Sequence, residues 1–308
     1  MRPPFSEVDM NATIHKAEKT LRAIENMLRA DQGAKYRTTL ATVLPHIGDA
    51  YRGEDGGFRS HLGASVLGQE CGRAIYYGFR WFTQKTFDGR ILRLFNRGHL
   101  EEGRFIALLI ACGIKVYQQD ANGKQFRIQD FGGHLGGSGD GVAIGVPDVD
   151  PDSPVLLEFK THNDKSFVVL AKEGVRYAKP EHYIQMQMYM QKMGIPVALY
   201  MAVNKNTDAI WAEIVTVNPE LALQYVDRAG RIIFAKEPPK RINESPGWFA
   251  CKFCDHRDVC HLGADPARNC RTCTHSIPRE NGDWSCGFSG QVLTKEDQHI
   301  ACDKYEAI

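Results

Sequence analysis

The chain has almost no charge imbalance: 38 Lys and Arg stand against 37 Asp and Glu, a formal charge of +1 over 308 residues. No global field draws it to a polyanion, so any nucleic-acid contact must come from a local basic groove. Long apolar runs are missing too. The longest, residues 105–114, is too short for a bilayer, and the N-terminus MRPPFSEVDM lacks the apolar core of a secretory signal. A cytoplasmic location is therefore expected. No G-x-x-x-x-G-K-S/T phosphate loop occurs, so any unwinding of a duplex would have to come from a partner. Cysteine is nearly absent from most of the chain, since seven of the nine lie after residue 250 and only Cys71 and Cys112 precede them. Without a secretory signal, such clustering argues for metal ligation rather than disulfides.

What is present is a soluble-type composition, 43% hydrophobic and 24% charged, in a length that suits one large α/β domain or two modest ones. The organising stretch is residues 136–160, GGSGDGVAIGVPDVDPDSPVLLEFK, which reads as a strand, an acidic turn and a second strand. Val155, Leu157 and Phe159 alternate with Leu156, Glu158 and Lys160, giving one apolar face and one ending in a carboxylate and an ammonium. Asp140 precedes them between Gly139 and Gly141. Two carboxylates and a lysine on neighbouring strands suit metal-assisted phosphodiester hydrolysis, the acids holding a hard divalent cation and the lysine orienting the attacking water. The turn between them carries Asp148, Asp150 and Asp152 but lacks the glycine and glutamate of a calcium loop, and reads as solvated.

Periodicity places the flanking elements. Residues 13–30 form an expected amphipathic helix, residues 31–62 an irregular connection with a short helix near 40–44, and a Ser-led helix is expected from about residue 65. Residues 92–111 read as a long helix stopped at Gly113, and 124–131 as a strand before the hairpin. Residues 161–179 read as a connection. In residues 180–193 the apolar positions alternate, yet Pro180, Gly194 and the Met, Gln and Lys content favour a helix, which puts Gln185 and Tyr189 on one face. Residues 197–203 and 210–217 read as a hairpin, 219–234 as a helix and 236–246 as a linker.

Asp140, Glu158 and Lys160 resemble the D…E-x-K core of the PD-(D/E)xK nucleases, without the proline that often precedes the aspartate. Gly98 and Glu102 resemble the G-x-x-x-E element ahead of that core in the phage lambda-exonuclease branch, where the RecB-like branch has histidine. Glu101 is the rival position. Gln185 and Tyr189 resemble the Q-x-x-x-Y that follows it in both branches. The resemblance spans about residues 60–260. It implies a restriction-endonuclease-like α/β fold, a mixed central sheet flanked by helices. It implies Mg2+ or Mn2+ held by Glu102, Asp140, Glu158 and the Phe159 carbonyl, with Lys160 catalytic and Gln185 and Tyr189 placing the DNA strand. Arg73 is a candidate phosphate contact.

Cys251, Cys254 and Cys260, spaced C-x2-C-x5-C, leave a fourth tetrahedral position that Cys71 could take. His256 or His261 could take it instead in a zinc site. One distant cysteine with this trio, bracketing a D…E-x-K core, resembles the iron–sulfur nucleases of the AddB and CRISPR-adaptation kinds, which implies a 4Fe-4S cluster. Cys270, Cys273, Cys286 and Cys302 make a zinc-ribbon-like set with a wide last spacing, and a structural zinc would supply the tail with most of its stability, Trp284 packing beside it. Cys112 remains as a core thiol. The expected organisation is a helical extension over 1–60, a nuclease domain over 61–262 closed by the first cysteine set, and a cysteine-rich metal-binding module over 263–308. The expected activity is a metal-dependent DNA exonuclease in phage recombination or end processing, inside a bacterial host if phage-encoded. A single-strand annealing protein or a helicase would be its partner. The alternatives are a CRISPR-adaptation-like single-strand nuclease and a non-catalytic DNA-binding or assembly module.

Overall fold

Five strands form the central sheet of the first unit: Lys115–Tyr117 (β1), Gly141–Ile144 (β2), Val155–His162 (β3), Val197–Asn204 (β4) and Ile210–Thr216 (β5). They lie side by side in that order, antiparallel except for the parallel pair β3 and β4. A parallel pair needs a crossover, and two helices supply it, Asp164–Ala178 and Pro180–Met193. The computed structural model describes residues 13–47 and 58–308. Of these, 13–47, 87–128 and 138–222 belong to the first unit, and 58–86, 129–137 and 223–308 to the second. The chain is thus α/β, with a mixed sheet flanked by helices and a cysteine-rich C-terminal region.

The helices of the first unit are Glu18–Ala30 (α1), Ala34–Val43 (α2), Gly89–Ala111 (α3), Asp164–Ala178 (α4) and Pro180–Met193 (α5). Val155, Leu157 and Phe159 of β3 join Leu199 and Met201 of β4 and Phe105 and Leu109 of α3 in one hydrophobic core. The Phe105 and Phe159 rings stack at 5.1 Å, a contact worth about 0.5–1.5 kcal/mol beyond the area it buries. The other side chains of β3, Leu156 and Glu158, are equally buried. A strand covered on both faces needs a helix buried nearly all round, and α5 is one, with every residue from Tyr183 to Met190 buried. This explains why its apolar pattern alternated. Pro180 opens it and Gly194, at φ 66°, ends it as expected.

Several elements differ from the sequence reading. Residues 15–17 are extended against β5, through the bridge Lys16–Glu213 and the Ala17 N–H bond to the Ala212 carbonyl at 2.9 Å, so α1 starts later. Its first turn has no cap of its own; Asp148 accepts from Lys19 N–H at 3.0 Å and from Thr20 N–H at 2.7 Å. Asp148 is therefore a helix cap supplied from the acidic turn, not a solvated side chain. The short helix near 40–44 is the end of the longer α2, and residues 48–57 lie outside the described residues. The helix expected from residue 65 begins only at Gly72, after a 3-10 turn at Ala64–Val66, with the Cys71 sulfur as its N-cap.

Arg127–Asp130 is a strand, but it pairs with Leu135–Ser138 in a separate small sheet, and the neighbour of β2 is the unforeseen β1. Residues 161–179 are no connection: α4 occupies them, broken at Gly174 (φ 71°), beyond which the buried Glu213 accepts the Val175 N–H at 2.9 Å. The chain leaves the small sheet at Gly139 and Asp140 and enters β2 at Gly141, where the φ of 149° disfavours a side chain and a Cβ would meet the Tyr117 carbonyl oxygen at 2.9 Å.

In the second unit, Leu62–Gly63 pairs parallel with the start of Leu135–Ser138, and Gly72–Phe79 is a buried helix. The tail forms a three-stranded antiparallel sheet from Ser276–Pro278, Trp284–Cys286 and Val292–Leu293. Helix Pro219–Ile233 runs on from the first unit into the second. No described helix is long and apolar enough to cross a membrane.

Asp148→Ala is expected to lower stability in denaturant melts by about 1 kcal/mol, the cost of losing a helix cap. Asp152→Ala, in the exposed part of the same turn, should leave the midpoint unchanged.

Candidate functional site

The first unit brings six of the sequence-derived residues together. Asp140, at the break before β2, accepts the backbone N–H of Phe159 at 2.7 Å, which ties the break to the register of β3. Glu158 is fully buried on β3, and the Lys160 ammonium, two residues on along the same face, contacts its Oε1. Gln185 Nε2 on α5 lies 3.4 Å from the other Glu158 oxygen, and the Tyr189 hydroxyl is held by Gln185 one turn away. From α3 comes Glu102, with His99 Nδ1 at 3.7 Å from its Oε1.

Electrostatics shows how closely the acids gather. Burial first, then repulsion from Asp140, pushes the Glu102 carboxyl up to about 8. Glu158 is pushed up to about 7 by burial and by Asp140, against the opposing pull of Lys160. Burial also raises Asp140. Lys160 goes the other way: burial disfavours its charge, but Glu158, Asp140 and Glu102 together hold its proton more firmly than usual. Asp140 raises both glutamates and Glu158 raises Glu102, so three carboxyls around one ammonium form a site short of positive charge. Hard divalent cations supply it, and the donor set suits Mg2+ or Mn2+. Glu101 lines the same cavity as Glu102, but it is paired with Arg104 at 3.3 Å, and its carboxyl is raised by burial and by Asp208 rather than by Asp140 or Glu158.

Arg73 is not part of this group. It belongs to the second unit, where its Nε donates to the Tyr77 hydroxyl at 2.9 Å and its Nη1 to the Pro239 carbonyl at 3.0 Å. Those bonds fix the linker against helix Gly72–Phe79, so its environment offers no support for the phosphate contact expected of it.

The sequence reading passed over a second polar group beside the acids. A cavity of about 410 Å³ is lined by Glu102, Lys160, Thr161, His162, Lys179 and His182, among others. His162 Nδ1 lies 3.1 Å from Ser166 Oγ and its Nε2 lies 2.9 Å from the Tyr200 hydroxyl, which is also 3.0 Å from His182 Nδ1. Burial, reinforced by Lys179 and Lys160, lowers His162 to about 4, and burial holds His182 well below its usual value. Both rings are neutral near pH 7. Their signal was a histidine two residues after Lys160 and another three before Gln185, each unremarkable until the sheet pairs Glu158 with Tyr200.

The cysteines fall into two sets within the second unit. Burial, then Cys71 and Cys260, raises both Cys251 and Cys254, so these four thiols are neighbours. Cys71 Sγ accepts the Ala74 N–H and Cys254 Sγ the His256 N–H, both at 3.4 Å. His256 is otherwise engaged: it is buried, 3.0 Å from Thr83 Oγ1 and edge-on to Tyr77. In the tail, burial followed by Cys302, Cys273 and Cys286 pushes Cys270 up to about 11. Cys112 is half-buried against the core of the first unit. Among the described residues, no group of three or more His, Cys, Asp or Glu side chains is closed up to hold a metal ion as it stands.

No family model matches the chain, and no curated protein matches it. Among solved structures, it is similar to LHK-Exo in complex with dAMP, at 15% identity and a TM-score of 0.40, covering 56% of this chain and 86% of that one. The alkaline exonuclease LHK-Exo from Laribacter hongkongensis, at 14% identity and a TM-score of 0.37, has the same coverage. SSO0001 aligns at 11% identity and a TM-score of 0.38, over 76% of this chain and 98% of its own. Likeness at this level fixes neither activity nor substrate for this chain.

The raised acids set the pH dependence of stability. Carboxyls with pKa raised from about 4.3 in the unfolded chain contribute stability that is complete below that value and lost as pH climbs through the folded values. For Glu158 and Glu102 those are about 7 and about 8. Without divalent ions, Tm should therefore fall from about pH 6.5 to pH 8, above the range in which the depressed His162 and His182 act in the opposite sense, and Glu102→Gln should flatten the fall. Identical slopes for Glu102→Gln and the unaltered protein, in thermal melts across that range, would count against the coupling.

Proposed function

We propose that the chain is a metal-dependent deoxyribonuclease of the PD-(D/E)xK kind, acting as an exonuclease on DNA. One observation carries this: three buried or half-buried carboxylates, from α3, the Asp140 break and β3, act on one another and on Lys160 beside an open cavity. Here one ammonium serves three.

In this reading Glu102, Asp140 and Glu158, with the Phe159 carbonyl, hold one or two Mg2+ or Mn2+ ions. A divalent ion there would polarise the scissile phosphate and make its bound water more acidic. Lys160, whose proton is tightly held, donates a hydrogen bond that fixes the attacking oxygen. Gln185 orients Glu158 through its amide, and Tyr189 orients Gln185 in turn. Phosphate contacts in the first unit would come from the exposed Arg90 and Arg93 on the helix that bears Glu102. Neutral His182, whose Nδ1 faces the Tyr200 hydroxyl, lines the same cavity and could donate from Nε2 to a phosphate oxygen, while both ring nitrogens of His162 are already engaged.

Cys71, Cys251, Cys254 and Cys260 are proposed to hold a 4Fe-4S cluster. The all-thiol donor set, its spacing and the two N–H bonds to sulfur support a thiolate-bound metal centre. Its role would be to join helix Gly72–Phe79 to the segment after the linker.

The test is degradation of linear single- and double-stranded DNA by purified protein with Mg2+ or Mn2+. Asp140→Asn and Lys160→Ala should each reduce it on the order of a hundredfold or more with Tm little changed. Undiminished cleavage by both variants would sink the assignment. Anaerobically purified protein should also contain iron and acid-labile sulfide that Cys71→Ser loses; a colourless protein with zinc in that set would remove the cluster and leave the nuclease reading in place.

A further inference from the structure

The second unit buries two cations with no anion beside them. Arg80 and Arg271 are each 3% exposed, and among the described residues neither pairs with an Asp or Glu. Arg80 Nη1 donates to the carbonyls of Arg271 at 3.2 Å and Ser276 at 3.1 Å, while its Nε has no partner. Arg271 donates to Gln298 Oε1 at 2.9 Å and to the carbonyls of Phe79 and Ser60 at 3.0 and 2.8 Å. Its guanidinium lies 3.9 Å from the centre of the Trp81 ring and 4.5 Å from that of Trp284. The two cations also repel each other. Carbonyl dipoles and ring faces ease a buried charge without neutralising it, so an arrangement of this kind points to a missing negative charge.

Four thiols lie in the same unit, drawn together by backbone pairing. Cys270 and Cys273 flank Arg271 in a 3-10 turn. The antiparallel register sets Cys286 opposite Ser276, and Gly287 N–H bonds the His275 carbonyl at 2.7 Å. The last segment returns through the Cys273–Ala307 bridge and the Thr274 N–H bond to the Glu306 carbonyl at 2.8 Å, which brings Cys302 to the group. Cys286 Sγ already accepts the Ser289 N–H at 3.5 Å, and Cys273 is an electrostatic neighbour of Arg80.

We infer that Cys270, Cys273, Cys286 and Cys302 take one zinc ion as a tetrathiolate and that Arg80 and Arg271 are its built-in counter-charge. The charges balance: four thiols release four protons, one divalent ion and four thiolates leave a net charge of two minus, and two guanidiniums offset it. All-sulfur ligation suits zinc in a tetrahedral site closed to water, and the ion would draw the four sulfurs inward. The arginines stack on Trp81 and Trp284, so the metal is the charge around which the aromatic core of the tail packs. The inference does not depend on the nuclease reading.

The test uses the full-length protein and zinc itself. One zinc per chain should be attributable to this set, and Cys302, the one exposed cysteine, should resist iodoacetamide until a chelator strips the metal. Cys302 alkylating at the rate of a free thiol in the zinc-loaded protein, or iron in place of zinc at this set, would overturn the metal assignment. Arg80→Met should speed stripping by a chelator about tenfold or more and shrink the rise in Tm that zinc confers, and Arg80→Lys should restore most of both. An unchanged zinc-dependent rise in Arg80→Met would overturn the counter-charge.

Discussion

Glu158 presents no surface to water, and the strand that carries it is packed on both faces. A carboxyl in that position gives up its charge unless something nearby answers it. The answer comes from Lys160 on the same face of the same strand, and the demand is multiplied by Asp140 and Glu102, which face the same ammonium. The rest of the first unit follows from holding that group. A slip of β3 by one residue would turn Glu158 and Lys160 into the hydrophobic core and Phe159 out of it, so the apolar packing that stabilises the sheet also fixes the register of the charges. Asp140 adds a second lock by accepting the Phe159 N–H from a break where the chain changes sheets.

Deficit of countercharge is the common logic of the two units, with opposite signs. Acids crowd around too little positive charge in the first; arginines are buried without negative charge in the second. In the second, the arginines are held by neighbours that are themselves buried; in the first, Glu158 is fully buried while Glu102 and Lys160 reach the cavity. Fixed, uncompensated charge of this kind is what recruits an ion.

The neutral histidines modify the first site in a way that the acids alone would not. His162 and His182 share the Tyr200 hydroxyl, and Tyr200 pairs across the sheet with Glu158. The cavity is thereby walled on one side by acids and on another by uncharged hydrogen-bonding rings.

Local pattern sufficed for much of this. The alternation of Val155 to Lys160 and the proline and glycine bounding α5 are read from neighbours along the chain, because strand period and helix caps are short-range properties. The same reading failed where the decisive partner was distant. Asp148 looked solvated because α1, which it caps, lies 128 residues away at Thr20. Helix α4 looked like a loop because its break at Gly174 is satisfied by Glu213, from another strand. Composition and spacing determined which chemistries the chain could carry: hard-cation carboxylates, thiolate sets, an α/β core. Only the tertiary structure decided which carboxylates share one ammonium, which histidines are neutral and which arginines lack an anion, since each depends on burial and on pairing across the sheet, and neither is a local property of sequence.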